Sequence, residues 1–78
     1  MPRYYFHLYN DETSLDEEGT ELADFAAAEA FGAVNAREMA ADSVLQGALT
    51  LHHRIDIADV HGKVLKSIPF SDVVVVSA

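Results

Sequence analysis

The chain is predicted to be α+β, an antiparallel sheet of about four strands covered by one long helix, in the order β-β-α-β-β. Three observations predict it: a bulky alternating run at Arg3–Tyr9, an alanine-rich stretch opened by Asp24 and closed by Gly47, and two further alternating runs after His53. At 78 residues the chain, 1-78, is read as a single domain, one that buries only about 60–65% of its unfolded surface.

Each element follows from local chemistry. In the first strand Tyr4, Phe6 and Leu8 point to one side and Tyr5, His7 and Tyr9 to the other. Both sets are bulky, which predicts a central strand or one whose second face meets a partner. Residues 10–18 carry turn-forming Asn, Asp and Ser and are predicted to be a solvated loop. Gly19 supplies a bend, after which Thr20, Glu21 and Leu22 form a short strand returning beside the first.

Asp24 is a good N-cap: its carboxylate accepts a helical N–H and sits at the positive end of the helix dipole. The helix is predicted over residues 25–46, about 33 Å long at 1.5 Å per residue, with Gly47 as the stop. It has two apolar stripes. Phe25, Ala28, Gly32, Ala36, Met39 and Ala40 form one; Ala27, Ala30, Val34, Ala41, Leu45 and Ala48 form the other, with Phe31 at its edge. Phe25 and Met39 favour the first as the sheet-facing stripe, leaving the second for the core margin or another subunit.

Residues 54–60 alternate like a half-buried strand, His61-Gly62 is a two-residue hairpin signal, and residues 63–70 return as the partner. Pro69 cannot donate to a ladder and belongs on an edge or at a strand end. The run Val73-Val74-Val75-Val76 is β-prone and uncharged, so it is expected to pair with something or to be disordered at its end.

Charge narrows the function classes. Five basic residues against thirteen acidic ones give a net charge of −8, and seven of the acids lie in residues 11–24. Such a surface repels phosphate backbones and anionic lipid, so no nucleic-acid and no membrane partner is expected; basic proteins or cations suit it. The absence of Cys removes disulfides and thiolate-bound zinc and fits a reducing compartment. No basic region followed by an apolar run opens the chain, and a cytoplasmic location is expected.

Site chemistry is sparse. His52 and His53 are adjacent and in a strand would face opposite sides; His7 and His61 approach only if the first strand neighbours the C-terminal hairpin. The acidic segment fails the EF-hand pattern: counted from Asn10 the sixth position is Leu15, and counted from Asp11 the third is Thr13 and the sixth Asp16. Asp42-Ser43-Val44 has the form of a phosphopantetheine site, but that serine lies late in a long helix followed by strands. No nucleophile elbow, phosphate-cradling glycine loop or oriented histidine is present. No catalytic residue, metal site or cofactor is predicted, and the chain is expected not to be an enzyme.

The best binding candidates are Tyr5, His7 and Tyr9, aromatic groups with polar tips of the kind enriched at interfaces, together with His61. The expected function is an acidic, non-enzymatic module that binds protein or itself, as a homodimer; small domains without staples often oligomerise. The alternative is a small-ligand or metal-binding regulator using His7 and His61.

Met1-Pro2-Arg3-Tyr4-Tyr5-Phe6-His7-Leu8, then Asp16-Glu17-Glu18-Gly19-Thr20-Glu21-Leu22-Ala23-Asp24, then Pro69-Phe70-Ser71-Asp72 resemble a bacterial family of short proteins that share a domain of unknown function. Its members begin M-P-x-Y-[YF]-F-H and continue with D-x-x-G-x-E-[LF]-x-D before an Ala-rich helix. The resemblance spans nearly the whole chain and implies the fold, with no activity attached. Ala23 stands where a Pro is usual, which bears on the rigidity of the helix entry. A looser architectural likeness to HicB-type antitoxins, which place short strands and an acidic loop before a helix, implies a binder of a basic protein; the basic DNA-binding segment such proteins often add is absent here.

Overall fold

A computed structural model describes residues 1–77. The elements are β1 (Arg3–Tyr9), β2 (Thr13–Ser14), β3 (Thr20–Glu21), α1 (Phe25–Leu45), β4 (Arg54–Ala58), β5 (Val64–Pro69) and a short 3-10 turn (Phe70–Asp72). All strand pairings are antiparallel, and the α+β class with one covering helix is as expected. The order is β-β-β-α-β-β, with β2 the addition. It arises because Asn10 turns the chain: its side-chain oxygen accepts the Glu12 N–H at 2.9 Å and its own N–H donates to the Glu12 carbonyl at 3.1 Å. Thr13 then lies opposite Tyr9, while the acids of the turn stay in water.

β1 is central. β4 pairs with its residues from Tyr5 to Tyr9 on one side, and β5 lies outside β4. On the other side β3 pairs at Arg3 and Tyr4, and β2 pairs at Leu8 and Tyr9.

The helix begins and ends where its caps dictate. Asp24 accepts the Ala27 N–H at 2.8 Å. At the other end Gly47 N–H reaches the Val44 carbonyl at 2.9 Å and Ala48 N–H reaches that of Ser43 at 3.0 Å, the paired bonds of a Schellman stop. Ala28, Gly32, Ala36 and Ala40 form the buried row, so the first stripe faces the sheet and Val34 and Leu45 of the second are exposed. Beneath that row lie Tyr4, Ile55, Ile57, Ile68 and Phe70; full burial of Ile57 or Phe70 stabilises by about 1.5–3 kcal/mol each. The small residues bring the helix close: a methyl added at Gly32 would stand 2.9 Å from Ile68 Cδ1 and 3.2 Å from Ile57 Cδ1. Phe31 reaches over the edge to Phe6, with ring centroids 4.8 Å apart.

One expectation is corrected. The β4–β5 turn is not a two-residue His61-Gly62 turn, since no non-glycine residue among those described has positive φ. Asp59 instead pairs with Lys63 (N–H to carbonyl, 2.9 Å), and Gly62 N–H closes back on the Asp59 carbonyl at 3.1 Å. Gly62 alone, at φ +80, takes the left-handed position of a three-residue loop. Asp59 selects this register, accepting the N–H of His61 at 2.9 Å and of Lys63 at 3.0 Å on one carboxylate oxygen. Residues 73–76 form no strand. Val73 and Val74 pack against the core and the Val73 carbonyl accepts from Arg37 Nε at 3.2 Å, while Val75 and Val76 stand exposed. Among the described residues no helix is long and apolar enough to cross a membrane.

The close helix–sheet approach sets a steric test. Gly32→Ala is expected to change stability by less than about 1 kcal/mol, because the gain in helix propensity offsets displacement of two isoleucine ends. Gly32→Leu, with no room for the added carbons, is expected to cost about 1–3 kcal/mol. Urea midpoints for the three proteins distinguish the cases; a wild-type midpoint for Gly32→Leu would place the helix elsewhere.

Candidate functional site

The single helix lies on the Tyr4-Phe6-Leu8 side, so Tyr5, His7 and Tyr9 belong to the opposite face, where all three are half-buried. Opposite them on β4 stand Ala58, Asp56 and Arg54. The Tyr5 and His7 rings stack with centroids 6.5 Å apart at 23°. Arg54 holds the other end together: its guanidinium carbon lies 4.5 Å above the Tyr9 ring centre, and its Nε is 3.1 Å from Asp56 Oδ1. The Asp56 side chain is only 7% exposed. A buried carboxylate without its cation would be strongly destabilising, so Arg54 both satisfies Asp56 and leaves the Tyr9 end of the face without an open negative charge.

The orientation of His7 is set from the other edge of β1. Between the stretches paired by β3 and β2, Phe6 has no strand partner on that side. The Asp16 carboxylate fills the gap. One oxygen accepts the Phe6 N–H at 3.1 Å, and the other accepts those of Glu18 at 3.1 Å and Gly19 at 3.0 Å. Asp16 then donates its own N–H to His7 Nδ1 at 3.0 Å. A nitrogen that accepts cannot also carry hydrogen, so Nε2 bears the imidazole proton. Burial pushes the Asp16 carboxyl up, but the N–H groups of Gly19, Phe6 and Glu18, aided by His7, outweigh it and hold the group below its ordinary value. Gly19 must be glycine twice over: its φ is +71, and a Cβ would lie 2.9 Å from the Tyr4 carbonyl oxygen.

Tyr5, His7 and Tyr9 therefore form one row, as their alternation predicts. His61 does not join them: it is exposed in the β4–β5 turn, beyond the end of the β1–β4 ladder. Among the described residues no group of three or more His, Asp or Glu side chains is placed to hold a metal ion. Three positions escaped the sequence reading. Asp16 was visible only as part of an acidic run, although its bond to the Glu18 N–H two residues on is that of an Asx turn. Asp56 alternates with Ile55 and Ile57 as a solvent-facing residue would, and its burial depends on Arg54. His53 is buried beside a cleft of about 210 Å³ at the end of α1, lined by Asn10, Asp11, Ser43, Gln46 and Thr50 among others.

Residues 3–71 match the family model described as Domain of unknown function (DUF6894). No curated protein and no solved structure matches the chain.

The Asp16 contacts give a stability test with a defined sign. A folded carboxyl held below its unfolded value of about 3.9 contributes stability that is complete above that value and is lost as pH falls through the folded one. Asp16→Ala is expected to cost about 2 kcal/mol at pH 7, from loss of charge-assisted bonds at a partly exposed site. Asp16→Asn is expected to cost less, because its one oxygen retains part of the set. Both variants should lose stability less steeply than wild type as pH falls below about 4, measured by urea unfolding across that range; an unchanged slope would remove Asp16 from the account.

Proposed function

The chain belongs to the DUF6894 family, a domain of unknown function, and we propose that it is a non-enzymatic interaction module that binds protein through the open sheet face, with a second copy of itself as the partner. The observation that carries this is the Tyr5-His7-Tyr9 row on the face away from α1. These rings bury large area at low entropy cost while keeping a polar end for a partner. The face is also prepared for desolvation, because its carboxylate, Asp56, is already paired with Arg54.

Several features support self-association. The accessible surface is 5100 Å², against roughly 4,700 Å² expected for a folded monomer of this mass. Leu65, on the outer strand, is 39% exposed; its alternation with Lys66, which turns to Glu29 of the helix at 2.6 Å, places it on the open face. A two-fold pairing would set one aromatic row against the other, so each substitution acts twice. His7 takes part as an oriented surface group: a backbone amide holds its Nδ1, leaving Nε2–H for hydrogen bonding outward.

Light scattering at micromolar concentration should show a dimer. Tyr5→Ala combined with Tyr9→Ala is expected to weaken it by about tenfold or more with an unchanged circular dichroism spectrum. Val34→Lys, on the outward side of the helix, should leave it intact. A strictly monomeric wild-type protein with no co-purifying partner would contradict the proposal.

A further inference from the structure

We propose that the cleft at the C-terminal end of α1 is a binding site for a guanidinium or alkylammonium group, held by Asp11 beside the buried His53. The site is distinct from the aromatic face and does not rest on the function proposed above. Its lining brings together three separate stretches: Asn10 and Asp11 from the β1–β2 turn, Ser43 and Gln46 from the end of the helix, and Thr50 and His53 from the segment before β4.

His53 is the observation that marks this as more than a surface dent. It is 9% exposed, and its Nδ1 is sealed from solvent without a hydrogen-bond partner. Its Nε2 lies 3.4 Å from Asp11 Oδ1. A proton on Nδ1 would be an orphaned buried donor, which native structures avoid more strictly than an unused lone pair. The ring therefore carries its one N–H on Nε2, aimed at Asp11. At 3.4 Å this contact is too long for a good hydrogen bond. Asp11, whose side chain is 97% exposed, keeps both its negative charge and unused acceptor capacity at the cleft mouth.

The surroundings select a cationic donor. Asp11 is the only formally charged residue in the lining. The helix presents its negative end here with no basic residue in its last turn. Asn10, Ser43, Gln46 and Thr50 are the uncharged polar residues of the lining. An anion would meet Asp11, the dipole and a net charge of −8. A metal ion would find no third ionisable ligand. The volume, about 210 Å³, lies below that of pockets for drug-sized molecules and suits one side chain or a small amine.

The test is titration of the full chain with acetyl-arginine-amide, n-butylamine and the tripeptide Gly-Arg-Gly, followed by amide and His53 ring shifts in NMR. Phosphate and zinc serve as controls. Saturable shifts centred on Asp11, Gln46 and His53 are expected for the cationic probes and not for phosphate. Asp11→Asn, at a fully exposed position that leaves the fold intact, should weaken them at least about threefold. Tighter binding of the tripeptide would indicate an arginine side chain of a protein partner, and equal binding a free amine; both support the site. The Tyr5→Ala, Tyr9→Ala protein should bind as wild type, which separates this site from self-association. Absence of saturable shifts, equal affinity in Asp11→Asn, or a preference for phosphate or zinc would overturn the proposal.

Discussion

The structure depends on one carboxylate. β1 has β4 along one edge and β2 and β3 along the other, yet on the β2–β3 side the ladder is broken at Phe6. A central strand with an orphaned amide would lose free energy on the order of 1–3 kcal/mol at that position. Asp16 closes the gap with its side chain, and by accepting from Glu18 and Gly19 it also fixes the loop that carries it. The chain then leaves this loop in position to form β3. From there Leu22 donates its N–H to the Pro2 carbonyl at 3.1 Å and packs against the core, and Asp24 starts the helix. A single anion thus links the first strand to the entry of the covering layer.

This gives the residues that carry the family resemblance a physical meaning. Asp16 completes the strand edge, Gly19 allows the loop to touch the β1 backbone, and Glu21 pairs with Arg3 at 3.2 Å. Leu22 enters the core and Asp24 caps the helix. Phe70, in the later segment, is 1% exposed; its N–H donates to the His53 carbonyl at 2.8 Å, and Ser71 N–H to that of Leu51 at 3.1 Å. These are folding roles, which is why the resemblance conveys an architecture without a reaction. Of the two proposed surfaces, the aromatic row shares Tyr5 and His7 with the opening motif, and the cleft draws on residues outside the three segments.

What was legible in the sequence was local. Alternation in Arg3–Tyr9 assigns the two faces of β1 correctly, and Asp24 and Gly47 mark the helix ends through capping chemistry that needs no tertiary information. The small-residue row at Ala28, Gly32, Ala36 and Ala40 likewise announces close packing. Long-range compensation was not legible. Thr13 becomes a strand residue because Asn10 turns the chain onto β1, and the hairpin register follows Asp59, upstream of the apparent His61-Gly62 signal. Val73 and Val74 find the core rather than a strand edge because the 3-10 turn at Phe70 redirects them. The cleft joins the first turn to the helix end and to His53, a juxtaposition that no local pattern encodes.

Hydrogen exchange at the Phe6 amide tests the central claim most directly. If the Asp16 carboxylate substitutes for a missing strand partner, the Phe6 amide should exchange as slowly as that of Ile57, through the same global opening. Exchange of Phe6 at the rate of exposed loop amides such as that of Glu17, while Ile57 stays protected, would show that the strand edge is open and that the carboxylate does not hold it.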